Sequence, residues 1–252
     1  MKWLLLFALL YLAGALYLYL FQERLIFRPD LAPKEVDLPP GAKRLFLDGL
    51  EVGVLDKKSD TTLFYFGGNA NNALEALHIF AKLSYNVVTF NYPGYANSKG
   101  SPTQEAIFAT AKKVYEHFRT SHNVVVGRSL GTAVAAYIAA NYPVDGVVLI
   151  TPYHSITHLA KLRYPIYPAT LLVRHPFPTY RYIQRTSAPV VVFLAQEDDT
   201  TPPATFAKLR PYIKNLKKVI TIEGSTHADI LEIGKEKIVE EIEKLLAKGE
   251  SL

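Results

Sequence analysis

The sequence predicts an α/β fold, with a mostly parallel, doubly wound sheet that follows an N-terminal transmembrane helix. Strands that are apolar along their whole length alternate with helical segments of about 10 to 15 residues, which is typical of a parallel sheet covered on both faces. Right-handed crossovers in such a sheet place the functional loops at the carboxyl ends of the strands. The helix is predicted from an uncharged, apolar run of 19 residues, Trp3 to Phe21.

The composition excludes several kinds of chemistry. The chain of 252 residues is 49% hydrophobic, which is enough for one sizeable core. It has no cysteine, so disulfides, thiolate catalysis and cysteine-bound zinc are excluded. The net charge is +5, and the densest basic patch, Arg210 to Lys218, is short. A solvated basic face or attraction to anionic lipid headgroups explains this patch better than nucleic-acid binding, so we expect no nucleic-acid partner.

The apolar run near the N-terminus predicts a single-pass membrane anchor over residues 1–22. As a helix, 19 residues extend roughly 28 Å, close to the ~30 Å hydrocarbon core of a bilayer. A cleaved signal peptide is the alternative. It is disfavoured because the run is long and ends in bulky residues, where a cleavage site needs small ones. Basic residues on the two sides of the run are similarly few, which leaves the orientation open.

Residues 23–43 form the next predicted unit, a connector whose prolines exclude a regular helix or a central strand. A globular domain is predicted over residues 44–252. Its predicted elements, in chain order within each class, are a meander (44–56), strands at 61–66, 85–90, 123–127, 145–150, 189–195 and 217–223, and helices at 71–84, 103–120, 130–143, 203–213 and 229–248.

The segment Gly127-Arg128-Ser129-Leu130-Gly131 joins a predicted strand directly to a predicted helix. A turn this tight forces Ser129 into an unfavourable backbone conformation, and Gly127 and Gly131 avoid the clash that a Cβ would cause there. Ser129 then lies at a helix N-terminus, where developing negative charge is favoured. A glycine turn that serves packing alone is the alternative. The strand before and the helix after favour a nucleophile.

A nucleophilic serine needs a base and an acid, and both have candidates at strand ends. Of the seven histidines, His227 follows the last predicted strand. Asp198 and Asp199 follow the strand before it, where helix capping and turn formation are the simpler interpretation for at least one of them. The chain order serine, aspartate, histidine differs from the orders of the two well-known serine protease classes.

Gly67-Gly68-Asn69 ends the strand at 61–66 and predicts an oxyanion hole. The two glycines let the backbone approach a substrate oxygen closely. The backbone amide of Asn69 and that of Leu130, the residue after the nucleophile, are then expected to donate together to this oxygen. A turn into a capped helix is the simpler interpretation, and it is compatible with the first.

Five segments together resemble the α/β-hydrolase superfamily, and in particular its small membrane-anchored esterases, thioesterases and depalmitoylases. The segments are LFYFGGNANN, NYPGYANSKGSPT, VVVGRSLGTAVAAY, VVFLAQEDDTTPP and EGSTHADI, and the resemblance extends over Glu23 to Leu246. The sequence departs from the family pattern at Gly67 (usually His), Asn91 (Asp), Ala195 (Gly) and Thr201 (Val).

The resemblance implies a catalytic triad of Ser129, Asp198 and His227 in an α/β-hydrolase fold. Asp198 is the acid if the acid-loop motif is aligned on Pro202, whereas alignment on Pro203 selects Asp199. The implied reaction is acyl transfer through an acyl-enzyme on the serine, and it requires no metal and no organic cofactor.

The resemblance also implies a short cap insertion, which we place at about residues 153–186, a segment rich in aromatic residues and proline. Residues of this segment are expected to line an apolar slot for an acyl chain, near lipid, so that esters, thioesters and lipids are the expected small-molecule substrates. The alternative is that the segment only covers the sheet. The candidate lining residues are Tyr164, Ile166, Tyr167, Leu171 and Leu172.

Two other functions stay open at this level. One is a non-catalytic α/β-hydrolase-like protein that binds at the membrane, which the filled triad positions disfavour. The other is a serine peptidase, because acyl transfer from amides uses the same groups.

Overall fold

The computed structural model describes residues 1–247 and contains eight strands and ten α-helices in that range. The strands are β1 (Ala42–Leu47), β2 (Leu50–Leu55), β3 (Thr61–Phe66), β4 (Asn86–Phe90), β5 (His122–Arg128), β6 (Gly146–Ile150), β7 (Val190–Glu197) and β8 (Leu216–Thr226). The helices are α1 (Lys2–Ile26), α2 (Leu77–Phe80), α3 (Gln104–Phe118), α4 (Gly131–Asn141), α5 (Ile156–Arg163), α6 (Ala169–Leu172), α7 (Thr179–Ile183), α8 (Pro203–Leu209), α9 (Ile230–Ile233) and α10 (Lys235–Ala247).

All eight strands form one sheet in the order β1-β2-β4-β3-β5-β6-β7-β8. The pairs β1–β2 and β2–β4 are antiparallel, and every other neighbouring pair is parallel. The mostly parallel sheet predicted from the sequence is therefore confirmed. Its parallel strands end at one edge, and the predicted functional residues follow four of those ends directly.

The sheet is buried on both faces because successive side chains of its strands enter two different cores. Val125 packs in one cluster with residues of α3, α4 and α7, whereas its neighbours Val124 and Val126 pack in the other, with residues of α2 and α10. The side-chain alternation of a strand directs one residue to each face, so a strand covered on both sides must be apolar throughout.

Three predicted helices are shorter or less regular than expected. The segment 71–84 holds a 3₁₀ turn (Ala73–Ala76) and the single α-turn α2, because side-chain oxygens of Asn72 and Asn91 accept the hydrogen bonds of its first amides. The predicted helix at 203–213 ends as α8 and a 3₁₀ turn that contains Pro211, which has no N–H to continue it.

The last predicted helix is divided into α9 and α10 at Gly234. The Gly234 amide donates to the Ile230 carbonyl, and a Cβ at Gly234 would approach that oxygen to 2.7 Å, so only glycine fits this break. The predicted end of this helix, Lys248, lies outside the described residues.

The N-terminal helix α1 extends four residues beyond the predicted anchor, to Ile26, and a chain without strands follows it as far as Gly41. By length and composition, α1 is the one helix within residues 1–247 that could cross a membrane. Most of its side chains are exposed, but Gln22 near its end is buried. The exact limits of the anchor, the connector and the globular domain stay predictions.

Candidate active site

Ser129 follows β5 directly and precedes α4, in the turn that the sequence predicted. Its φ is +51°, a left-handed conformation that is uncommon outside glycine and that marks strain at a functional turn. A Cβ on Gly127 would overlap the backbone of Gly131, and a Cβ on Gly131 would overlap the Phe66 carbonyl. Both glycines are therefore required sterically, and the serine is held at the N-terminus of α4.

The three predicted triad residues lie within hydrogen-bond distance of one another. The Ser129 Oγ is 2.9 Å from His227 Nε2, and His227 Nδ1 is 2.9 and 3.0 Å from the two carboxylate oxygens of Asp198. When Nδ1 donates its proton to this carboxylate, Nε2 is free to accept the serine proton. The three side chains come from the ends of β5, β7 and β8.

Of the two candidate acids, Asp198 contacts His227, whereas the Asp199 carboxylate accepts a hydrogen bond from the Thr200 hydroxyl. The Asp198 carboxylate accepts hydrogen bonds from the amides of Thr200 and Thr201 and from the Thr201 hydroxyl. Burial by itself raises the pKa of Asp198, but the hydrogen bonds and charge of His227, together with those from Thr201, outweigh it and lower the pKa below its ordinary value. The carboxylate is thus ionised at neutral pH.

Arg128 holds the loop that carries His227, a contact that the serine motif did not predict. Its Nη2 donates to the carbonyls of His227 and Ala228 at 2.8 and 2.9 Å. Arg128 occupies a position that the Gly-x-Ser-x-Gly motif leaves open to any residue. Its side chain thereby fixes the backbone of His227, which is 99 residues away in sequence. No local pattern signals such a contact, since it depends on β5 and β8 ending at the same edge.

The predicted oxyanion residues, Asn69 and Leu130, both line the cavity into which Ser129 opens. Gly68 lies close to Ser129: a Cβ at Gly68 would be 3.7 Å from the Ser129 Cβ and 3.3 Å from Asn71 Oδ1, which is a tight contact. The loop is fixed even though Gly67 stands where the family usually has histidine. The hydroxyls of Tyr92 and Tyr95 donate to the carbonyls of Gly67 and Asn69 at 2.8 and 3.0 Å.

Asn69 is also bonded to the end of α1. Its side-chain amide donates to the Ile26 carbonyl at 2.9 Å, and its own carbonyl accepts from the Arg28 amide at 2.9 Å. Asn69 is therefore joined by one hydrogen bond to the last residue of α1 and by another to Arg28, two residues after the helix.

A cavity of about 660 Å³ extends from Ser129, within the usual range of ligand pockets. Three of the five expected cap residues line it: Tyr164, Tyr167 and Leu172. The other two, Ile166 and Leu171, do not line the cavity, which corrects the expectation; their side chains are 69% and 79% exposed. Helix α1 adds further residues to the lining, which no sequence pattern indicated: Leu18, Gln22, Leu25 and Ile26.

A family model described as the alpha/beta hydrolase fold matches residues 63–173. An uncharacterized protein of Mycobacterium tuberculosis is 25% identical over 236 residues, which is 85% of this chain and 83% of its own length. The alpha/beta hydrolase domain-containing protein WAV2 of Arabidopsis thaliana is 28% identical over 231 residues, 76% of this chain and 75% of its own. An esterase of Pyrococcus furiosus superposes with a TM-score of 0.66 at 14% identity, over 85% of this chain and 94% of the esterase.

The fold, the serine turn and these similarities agree with the resemblance found in the sequence motifs. The chain has the α/β-hydrolase fold, and it is similar in sequence to proteins described by that fold.

Proposed function

We propose that the chain is a serine hydrolase that cleaves carboxylic ester or thioester bonds through an acyl-enzyme on Ser129. The observation that carries the proposal is the 2.9 Å contact between Ser129 Oγ and His227 Nε2, with His227 Nδ1 bonded to Asp198. A nucleophile within reach of a base, itself oriented by a third group, is the arrangement that covalent acyl transfer requires.

In the first half-reaction, His227 removes the hydroxyl proton of Ser129 as Oγ attacks the acyl carbon. The backbone amides of Leu130 and Asn69 donate hydrogen bonds to the acyl oxygen and stabilise the negative charge that develops on it. Such a donor is worth about 2.7–4 kcal/mol of transition-state stabilisation. The tetrahedral intermediate then collapses, the bond to the leaving alcohol or thiol breaks, and His227 gives its proton to the leaving group.

In the second half-reaction, His227 removes a proton from water, whose oxygen attacks the acyl-enzyme carbon. The bond to Ser129 Oγ breaks, the proton on His227 returns to Oγ, and the carboxylic acid leaves. The ionised Asp198 keeps the imidazole in one tautomer and stabilises its protonated form in both halves.

The proposed substrates are acyl or lipid-like esters and thioesters at a membrane, and α1 is the proposed anchor. An apolar cavity that includes Leu18, Leu172 and Val173 supports an acyl substrate. A helix of 25 residues reaches about 38 Å, long enough to span a bilayer. The buried contacts of Gln22 with the rest of the chain support retention of the helix rather than its removal as a signal peptide.

The proposal is tested with a fluorophosphonate probe, which reacts with activated serines. Wild type should be labelled, and Ser129→Ala should not be. An unlabelled wild type, or equal labelling of Ser129→Ala, would instead favour a non-catalytic binding protein. Matched ester, thioester and amide substrates, with His227→Ala as the control, separate the hydrolase from a peptidase: amide turnover at a rate comparable to that of the esters would contradict the proposal.

A further inference from the structure

One face of α1 forms a wall of the cavity that begins at Ser129. Leu18, Gln22, Leu25 and Ile26 are spaced by four, three and one residues, so they lie on the same side of the helix, and all four line the cavity. The facing wall comes from residues 153–186, the segment predicted as the cap. Leu159, Tyr164, Tyr167 and Leu172 of the cap are among its lining residues.

A buried glutamine fixes the position of α1 against the cap. Gln22 is 6% exposed, and its amide nitrogen donates to the Leu172 carbonyl at 2.9 Å. Its side-chain oxygen accepts from the Arg174 amide at 2.7 Å. Because both ends of the side chain bond to cap backbone, a shift of α1 by even one turn would leave buried polar groups without partners.

The contact between α1 and the cap continues far along the helix. The ring of Tyr11 stacks on that of Tyr167 with centroids 5.0 Å apart, and its hydroxyl donates to the Ile166 carbonyl at 3.1 Å. Any Cβ at Gly14 would overlap the Tyr167 phenol. Tyr11 precedes Gln22 by 11 residues, or about 16 Å of helix. A membrane-spanning α1 therefore carries this part of the cap into the hydrocarbon layer.

The surface of the cap suits that position. Ile166 and Leu171, which are large, apolar and mostly exposed, lie in the part of the cap adjacent to α1. The chain has no Asp or Glu between residues 146 and 196, and the five basic residues there equal the net charge of +5 of the whole chain. Arg174 pairs with Glu23 of α1, and the other four basic residues have no acidic neighbour within the segment itself. Exposed apolar side chains next to basic ones are typical of a surface that lies in a leaflet beneath anionic headgroups.

We propose that α1 and the cap together form an acyl-chain site, and that its occupant is one acyl chain of a lipid taken from the surrounding leaflet. The inference rests on the proposed function, because this site holds the acyl group that Ser129 attacks. The cavity rim includes Leu25 of α1 and Leu162 of the cap, both about half exposed. The acyl chain passes between these two elements without crossing water, and its carbonyl end reaches the serine. The N-terminal helix is then a substrate-binding element as well as an anchor.

The test uses the full chain in phosphatidylcholine nanodiscs and a matched pair of variants on α1. Leu18→Trp narrows the site from a half-buried lining position. Leu20→Trp makes the same change two residues away, at a side chain that is 56% exposed and outside the lining. The measured quantity is the ratio of kcat/KM for p-nitrophenyl palmitate to that for p-nitrophenyl acetate.

Leu18→Trp should lower this ratio at least tenfold, with acetate turnover kept, and Leu20→Trp should leave it within twofold of wild type. An unchanged ratio in Leu18→Trp, or an equal fall in Leu20→Trp, would overturn the inference. If Leu18→Trp loses both activities, Leu18→Ala decides: a changed palmitate rate at constant acetate rate supports the site, and any other result refutes it. A wild type that hydrolyses neither ester and resists the fluorophosphonate would instead remove the proposed function, and this inference with it.

Discussion

Replacing Arg128 tests whether this side chain positions the catalytic histidine. Arg128 Nη2 donates to the carbonyls of His227 and Ala228, and we expect Arg128→Gln to lose both bonds. A hydrogen bond to a charged group contributes about 1.5–3 kcal/mol. Because the two bonds share one nitrogen and are partly solvated, we assign to the pair the contribution of a single such bond, about 1.5–3 kcal/mol in total.

If this energy holds the His227 loop in its productive position, kcat should fall about 10- to 100-fold, since each 1.36 kcal/mol is tenfold in rate. KM should change little, because Arg128 is absent from the cavity lining. The rate of fluorophosphonate labelling should fall with kcat, whereas the thermal unfolding temperature should fall by only a few degrees. Arg119→Gln, at an exposed position directly after α3, is the control. Wild-type kcat and labelling rate in Arg128→Gln would refute the reasoning.

Three further changes probe the site and its surroundings. Asp198→Asn should lower kcat by about 10³- to 10⁴-fold, because the carboxylate no longer holds His227 in the tautomer that accepts the serine proton. The kcat of Asp199→Asn should stay within twofold of the wild-type value. Similar losses of kcat in both variants would contradict the triad assignment. Gly131→Ala should lower both the yield of folded protein and the unfolding temperature, because the Cβ of the alanine would overlap the Phe66 carbonyl. An unfolding temperature equal to that of wild type would show that the turn adapts to the extra methyl group.

The third change concerns His154, whose pKa is lowered from 6.5 to about 4 by burial and by the nearby charges of His158 and Lys208. The unfolded chain binds the proton first as pH falls, so His154 reduces stability between pH 6.5 and about 4, by about 2 kcal/mol at pH 5. The free energy of unfolding, measured with denaturant in detergent, should fall less between pH 7 and pH 5 in His154→Phe than in wild type, because the variant lacks this histidine. An identical pH dependence in the variant would disprove the expected contribution.

The fold and the centre of the site were predictable because short segments of sequence determine them. An all-apolar strand such as β5 requires a cover on both faces, and Gly127 and Gly131 follow from the steric demands of the serine turn. His227 and the pair Asp198 and Asp199 could be proposed because the carboxyl ends of parallel strands meet at one edge, whereas the choice of Asp198 depended on the resemblance to the family motif. Those inferences use only the neighbours of each residue and the direction of the chain.

The rest depends on contacts between distant residues. Gln22 follows an apolar run, which reads in the sequence as the boundary of an anchor, and its partners Leu172 and Arg174 are 150 and 152 residues away. The outward direction of Ile166 and Leu171 depends likewise on how the cap packs against α1. Helix breaks such as the one at Gly234 require a close approach of backbone atoms that no periodicity reveals.

The joint between Asn69 and α1 affects how the protein should be prepared. A shortened chain that starts after Ile26, the obvious choice for a soluble sample, removes the carbonyl that accepts from the Asn69 side chain. It also removes Leu18, Gln22 and Leu25 from the cavity wall. Such a sample would keep the proposed triad and lose a support of the proposed oxyanion loop, so we expect its rates to differ from those of the full chain. Detergents that separate α1 from the cap would have the same effect on an intact protein.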